Sequence, residues 1–592
     1  MSEPVSRRAV LAGAGAGVVL AGCGLSADRT VRPGLSIDGP TDGGVAVRPP
    51  GPVEGASPEQ IISGFLRAGA TSGPELAVAR SFLTEQAQTA WRPDQQTVVY
   101  GSTAPTISRA DQQTYRVRLR DLVARIDGDA RYATAPPGEA LTLEFGLAEV
   151  GGQWRISSVP QDFGRALHTV LVGRMYRSYL VHYPVIGWNS LVADLRWIPQ
   201  DQQSTRLARA QLGPVPRYLA GAAHTDQGAR LSVDAVPIIG GSAQVDLRAA
   251  GLSQDVTVRT NLAAQFVATL MQLPGVTDIE MSVEGQVIQL PDVEPPLTSP
   301  EQLGFVVRTL PRDATALVLT GGRAVPVPAG RLLRVTADDL SSASTPFPSI
   351  GGTWRHLALS ADAKEVTGID PSATEVTRWR EDGSRADLPF FADRLVRPRY
   401  DGGGVLWVGG RGSGATAATR VFAINATVDP SDPRSRPAPI PISWLTGRRV
   451  RALDISPDGS RIAVVSTASD GTRVDVAGIT RQANGLPTGT SREPLRIAAR
   501  LTDVVDVVWT TAQQIAVIGR RESTEARGAF LCDVGGEITA LPKVPSAESV
   551  TSTSGPRELI VGSANGSSYQ RSGQRFVRLS LPKGAIVAVA GR

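Results

Sequence analysis

Leu453-Asp-Ile-Ser-Pro-Asp-Gly-Ser-Arg-Ile-Ala-Val464 reads as an apolar strand, a turn and a second apolar strand. Pro457 presets φ, Asp458 bonds its own backbone to close the turn, and Gly459 accepts positive φ. Leu357-Ala-Leu-Ser-Ala-Asp-Ala-Lys-Glu-Val-Thr-Gly368 repeats the pattern, and Ser360 and Ser456 stand 96 residues apart, two units of 48. Propeller blades recur at about 40–50 residues. Three variants follow the same plan: 395–409 with its turn at Asp401-Gly402, 504–518 with Trp509 before its turn, and 554–561. These make five repeats, and 305–318 offers a sixth. One blade cannot bury both of its faces, so radial closure must cover them. Residues 301–592 are therefore expected to form an all-β propeller of five to seven blades. A β-sandwich array would explain the strands but not the period. Trp354, Trp379, Trp407, Trp444 and Trp509 are expected in blade cores.

The rest of the chain is long enough for further domains: 592 residues correspond to about three to five domains in all. Hydrophobic residues at 41% and charged residues at 20% describe a globular protein rather than a disordered chain or a membrane bundle. The 62 glycines and 43 prolines favour turns over long helices. A net charge of +5, with 56 acidic residues interleaved among 61 basic ones, makes no dense basic stripe, and nucleic acid is not an expected partner.

Residues 1–22 carry a basic pair, Arg7-Arg8, then an uncharged run of small and apolar residues ending Leu20-Ala21-Gly22 before Cys23. The run is too short for a spanning helix of about 20 residues and reads as a cleaved export signal. Leu20-Ala-Gly-Cys23 resembles a bacterial lipobox. That resemblance implies cleavage between Gly22 and Cys23, an S-diacylglycerol and N-palmitoyl group on Cys23, and anchoring at the extracytoplasmic face of the cell membrane. Ser6-Arg-Arg-Ala-Val-Leu11 also resembles a twin-arginine signal, with Val10 at the usual aromatic position, so general secretion and twin-arginine export both stay open. Residues 23–53, rich in Gly, Pro, Ser, Asp and Thr, read as a flexible tether.

Beyond the tether, Ser57-Pro-Glu-Gln60 has the composition of a capped helix start, with Ile61, Ile62, Phe65 and Leu66 following at helical spacing. A second helix over 74–83, a strand-like run over 115–126 and a hairpin of 141–150 with 154–159 across Gly151-Gly152 complete a small α+β domain, 54–165. A second α+β domain spans 170–290. It pairs 176–185 with 190–198, has a helix over 206–212, strands over 233–239 and 243–247, a helix over 261–273 and strands over 276–283 and 287–290. Within it Leu191-Val-Ala-Asp-Leu-Arg196, Val245-Asp-Leu247, Ala264-Gln265, Thr269-Leu270 and Gly275-Val276 resemble the GerMN domain, which implies a non-catalytic cell-envelope module. Asp194 and Asp246 are expected as strand-end or capping acids. Residues 291–300, four of them proline, read as a linker.

No catalytic residue, metal or cofactor is signalled. His168, His182, His224 and His356 are scattered, without a ligand motif. Gly410-Arg-Gly-Ser-Gly414 reads as a flexible loop rather than a phosphate cradle. Arg448-Arg449 and Arg520-Arg521 read as basic pairs at strand edges or loops, a pattern that usually means solvation and only occasionally anion or carboxylate docking. Cys532, in an apolar run, reads as a buried inert thiol.

Lipobox, tether, α+β domain, GerMN-like domain and propeller, in that order, resemble the LpqB lipoproteins of actinobacteria over essentially the whole chain. The resemblance implies a non-enzymatic accessory lipoprotein. Its implied partner is the extracytoplasmic part of a sensor histidine kinase of the MtrA/MtrB two-component type, and its implied effect is on cell-wall homeostasis and division. Peptidoglycan or cell-wall machinery is a second expected partner. The alternative reading is a cell-envelope glycan-binding protein or enzyme with a site in the propeller channel.

Overall fold

Ser57 opens the first helix with the reciprocal bonds its neighbours allow: the Gln60 N–H donates to Ser57 Oγ at 3.3 Å, and the Ser57 N–H donates to Gln60 Oε1 at 2.8 Å. That helix, Pro58–Gly69, buries Ile61, Ile62 and Phe65 against the first domain's sheets. In this computed structural model the described residues are 49–591 except 72–75, 102, 227, 249–254, 309, 311–313, 352 and 414–417. The signal peptide, the Gly22/Cys23 cleavage site and nearly all of the tether lie outside the described residues.

Among the described residues the N-terminal domain has three helices, Pro58–Gly69, Leu76–Ser81 and Glu85–Ala90, and two four-stranded sheets. The run 115–126 is not one strand. Asp121, at φ 53°, turns the chain between Thr114–Leu119 and Leu122–Asp127, which enter different sheets. The expected hairpin is present as Leu141–Val150 with Gln153–Ser158.

In the second domain Tyr176–Pro184 pairs with Leu191–Pro199. Helices Gln203–Gln211 and Val256–Leu270 pack against this hairpin, and Ser242–Arg248 lies parallel to Asp278–Val283 in a separate sheet. The long helix starts at Val256, ahead of Asn261, because the Asp255 carboxylate accepts from the Thr257 and Val258 N–H groups. The expected strand 233–239 shrinks to Ile238–Ile239. Ala235 N–H turns back onto Val233 O, and Pro237 has no N–H to give a ladder. The proline-rich 291–300 stretch is tied to the second domain's sheet where Ile279 N–H donates to the carbonyl of buried Leu297 at 2.9 Å, and Gln302 donates to the Pro296 carbonyl.

Six blades follow among the described residues. Blade 1 combines Thr315–Thr320 and Arg323–Pro328 with Ile586–Val589, the last paired on Thr315–Thr320 as the innermost strand. Blade 2 runs His356–Leu359, Glu365–Ile369, Val376–Arg380 and Arg385–Asp387 from the axis outward. Blade 3 is built on Val405–Gly412 and Thr419–Asn425, with Arg399–Tyr400 innermost. Blades 4, 5 and 6 begin at their innermost strands Arg449–Ile455, Thr502–Trp509 and Ala547–Ser552. Each innermost strand neighbours the next round the ring, and Ile586–Val589 touches those of blades 2 and 6, which closes it.

Trp379, Trp407 and Trp509 are fully buried in this propeller. Trp354 packs edge-on against Trp379 with ring centroids 4.7 Å apart, and Trp444 donates to the Ser491 carbonyl. The reading of 410–414 as a loop is corrected over its described part: Gly410 to Gly412 end the strand Val405–Gly412. The glycines serve close packing instead. A Cβ on Gly409 would lie 2.7 Å from Val450 Cγ1, and one on Gly410 2.9 Å from Leu395 Cδ2.

Candidate functional site

The 456–461 turn that reveals the repeat also joins two domains. Ser456 Oγ bonds Asp458 Oδ1 at 2.6 Å and accepts the Arg461 N–H at 2.9 Å, which shapes the turn and aims Arg461 out of the blade. The Arg461 guanidinium bonds Asp458 at 2.6 Å, the Ala512 carbonyl at 2.5 Å and, across the domain boundary, the Ala193 carbonyl at 3.1 Å. It lies 5.0 Å from the Trp509 ring centroid. Gln513 Nε2 donates to the same Ala193 carbonyl at 2.7 Å. Burial alone would raise the Asp458 pKa, but Arg461 and the Ser456 and Ser460 hydroxyls outweigh it and hold the carboxyl below its ordinary range.

Asp194, next along that strand, is corrected from a strand-end acid. It is buried in mid-strand, where Arg196 Nε donates to it at 2.5 Å and the Tyr218 hydroxyl at 2.8 Å. Asp246 does cap a turn, accepting from Ser282 Oγ and from the Gly285 N–H. Trp197 ties all three domains: it stacks on Tyr132 of the first with centroids 5.0 Å apart and donates to the Gly535 carbonyl of blade 5 at 3.1 Å. Arg500 adds a bond to the Leu122 carbonyl and an ion pair to Asp121.

At its waist the propeller axis is closed. Leu357, Leu359, Tyr400, Ile455, Val508 and Val589 crowd a space of about 20 Å³, room for about one water. The axis widens at the end where the innermost strands begin, away from the 456–461 turn, into a cavity of about 680 Å³. Its walls hold Arg355, Arg394, Arg397, Arg449, Arg451 and Arg527, against the carboxylates of Asp506 and Glu548. Arg397 pairs with Asp506 at 3.0 Å, and Arg527 with Asp503 at 2.9 Å. No hydrogen bond or ion pair to a described residue engages the guanidinium of Arg355, Arg394, Arg449 or Arg451. His356 lies among them, its pKa pushed down to about 3 by burial and by Arg397, Arg355 and Arg399. Burial and the neighbouring Arg449 likewise draw Arg451 below its usual value.

The other residues singled out in the sequence do not converge. Among the described residues no three His, Cys, Asp or Glu side chains are placed to share a metal ion. His168 caps a helix, His182 is buried against Thr269, and His224 meets Asn261. Cys532 is buried, and desolvation raises its thiol pKa. Of the two basic pairs, Arg448 is corrected from a solvated residue, being buried on Ser466 and Asp470; Arg520 docks on the Asp503 carboxylate, and Arg449 and Arg521 are exposed, Arg449 at the cavity. Sequence reasoning missed the other cavity arginines. Their available signal was basic residues just before or at the start of successive innermost strands, in Arg355-His356, Arg397-Pro-Arg399 and Arg449-Val-Arg451.

A different surface is apolar. On the second domain Val233, Ile238 and Ile239 are 66%, 43% and 65% exposed, and Ile238–Ile239 is a short strand paired only through Ser242 and Ala243 among the described residues. No helix among the described residues is long and apolar enough to cross a membrane.

Three family models match in chain order: the LpqB N-terminal domain over 51–168, the sporulation and spore germination (Germane) domain over 187–289, and the LpqB β-propeller domain over 330–580. The chain is similar to lipoprotein LpqB of Thermobifida fusca, 26% identical over 601 residues and 92% of each chain. It is 28% identical to that of Streptomyces coelicolor over 87% of this chain and 86% of the relative. Solved structures with some likeness include TolB from Acinetobacter baumannii, with a TM-score of 0.34 and 12% identity over 54% of this chain and 84% of that one. With both LpqB domain models flanking a Germane domain, and LpqB relatives aligned along nearly its whole length, the chain belongs to the LpqB lipoprotein family.

Proposed function

We propose that the chain is a lipoprotein anchored through acylated Cys23 at the extracytoplasmic face of the cell membrane, where it acts without catalysis as an accessory protein of a sensor histidine kinase of the MtrA/MtrB type. Through that kinase it influences cell-wall homeostasis and division. The observation that supports an interaction role is the exposed apolar segment Val233, Ile238 and Ile239, its short strand paired on one side only among the described residues, a surface suited to protein docking. Membership of the LpqB family supports the anchor. A tether of thirty residues spans on the order of 30 Å, and confinement at the membrane raises effective concentration, so a weak contact suffices. Stable anchoring takes more than one acyl chain.

The test is crosslinking in intact cells followed by mass spectrometry, with a photoreactive residue at Ile239 in the native chain and in a Cys23→Ala chain. Links to a sensor-kinase extracytoplasmic domain that depend on Cys23 are expected. Links only to peptidoglycan or to glycan-processing enzymes would replace this reading with the wall-binding one, and unchanged membrane retention of the Cys23→Ala chain would remove the anchor from it.

A further inference from the structure

The arginine cavity at the open end of the propeller axis is a pocket, not a passage. Its floor is the waist of about 20 Å³, while its own volume of about 680 Å³ falls within the roughly 300–1,000 Å³ usual for small-molecule sites. Its charge is not explained by the fold. Arg397 and Arg527 have carboxylates in ion-pair contact, whereas Arg355, Arg394, Arg449 and Arg451 converge from blade 2, the start of blade 3 and blade 4 with no such contact among the described residues, Asp503 and Asp393 acting on Arg451 and Arg394 only at longer range. Like charges gathered around one cavity repel, and their mutual repulsion is relieved when an anion sits between them. His356 lies among the arginines, held neutral first by its burial and then by Arg397, Arg355 and Arg399.

We infer that this cavity binds a compact polyanion: a small molecule or headgroup carrying several phosphate or carboxylate groups on one framework. Guanidinium groups present paired N–H donors that match the oxygens of either group bidentately. Arginines on several sides of the space fit a ligand whose charge is distributed around it, and the closed floor fits a ligand that enters and leaves by one mouth. An extended acidic peptide is the poorer fit, because the cavity is a bowl at the end of the axis and not a groove along a strand. The inference does not rest on the kinase reading; it would stand if Ile239 contacted nothing.

The experiment uses the full chain with Cys23→Ser, so that no acyl anchor holds it to lipid. Calorimetric titration with tripolyphosphate and with citrate at low salt measures the soluble form of the ligand chemistry, and co-sedimentation with vesicles of phosphatidylglycerol and phosphatidylcholine, against phosphatidylcholine alone, measures the headgroup form. Arg449→Ala with Arg451→Ala should weaken whichever probe binds by about tenfold or more, and raised salt should weaken it further. Arg355→Ala, on another blade and exposed, is the second variant should the double one unfold. Arg575→Ala with Arg578→Ala, on the outermost strand of blade 6, should leave binding unchanged. Saturable binding of either soluble anion that the cavity variants abolish supports a free ligand; binding confined to phosphatidylglycerol vesicles and lost in the same variants supports a lipid headgroup. The inference is overturned if no probe binds saturably, if the blade 6 control weakens binding equally, or if only an acidic peptide competes for the site.

Discussion

Two turns 96 residues apart in sequence have nearly the same bonds and opposite uses. In blade 4, Ser456 Oγ bonds Asp458 at 2.6 Å and accepts the Arg461 N–H at 2.9 Å; in blade 2, Ser360 Oγ bonds Asp362 at 2.6 Å and accepts the Glu365 N–H at 2.9 Å. The residue that ends the turn then decides its role. Arg461 reaches out to the carbonyl of Ala193 and seats the Germane domain, burying Ser456, Asp458 and Ser460. Glu365 turns inward and collects Arg378, Arg380 and the Tyr400 hydroxyl, all within the propeller, while Ala361 and Asp362 stay exposed. The Ser-x-Asp frame makes the hairpin; a single charge sign selects between docking another domain and bracing the blade's own neighbours.

The sharpest way to break this contrast is to truncate each deciding residue. Arg461→Ala leaves Asp458 buried without its cation and should cost about 3–5 kcal/mol in urea unfolding, with faster hydrogen exchange over Leu191–Pro199. Glu365→Ala strands the fully buried Arg378 and should cost a similar amount, about 3–5 kcal/mol, with exchange rising in blades 2 and 3 and unchanged over Leu191–Pro199. Equal exchange patterns from the two variants would contradict the division of roles.

Gly459→Ala comes next. The residue sits at φ 69°, and its new Cβ would lie 2.7 Å from Trp188 Cζ3 of the Germane domain. A loss of about 1–3 kcal/mol is expected in the same unfolding assay. Acid should then blunt the docked turn selectively. Asp458 has a depressed folded pKa, so the stability it contributes is present above its unfolded pKa and lost as pH falls through the folded value. The stability gap between the parent and Asp458→Asn should narrow below the ordinary carboxylate range; a gap constant down to pH 2 would contradict this. The smallest effect is expected at Ala363, which holds the position of Gly459 in the open turn at φ 60°. Ala363→Gly should stabilise slightly, by about 1 kcal/mol or less, as relief of the left-handed strain is partly offset by glycine's larger unfolded entropy.

Local chemistry made much of this architecture legible. Ser57 and Gln60 announced a helix start, and Ser-Pro-Asp-Gly announced both a hairpin and, by recurring, a period. What failed to show was whatever depends on an opposing surface. Arg461 and Glu365 are plain in the alignment of the two repeats, but nothing local says that one faces Ala193 and the other Arg378. Gly410 reads as a loop residue because the side chain it makes room for, Leu395, lies in another segment. The run 233–239 has strand composition, but Pro237 and the return of Ala235 onto Val233 decide against it. Arg355, Arg397 and Arg451 meet only when blades 2, 3 and 4 pack side by side, so their convergence is a property of the assembled blades.

That ring closes late in the life of the chain. Val589 pairs with Ala316, so the first blade lacks its axial strand until a segment more than two hundred residues downstream has been synthesised. Up to that moment the growing array presents unpaired strand edges at both ends, the state most open to mispairing with other copies. Joining such distant segments also makes closure slow relative to folding of the individual hairpins. Production of this protein is therefore most vulnerable between the birth of blade 6 and the arrival of Ile586, and an escort that shields strand edges in that interval would raise its yield without altering the finished molecule.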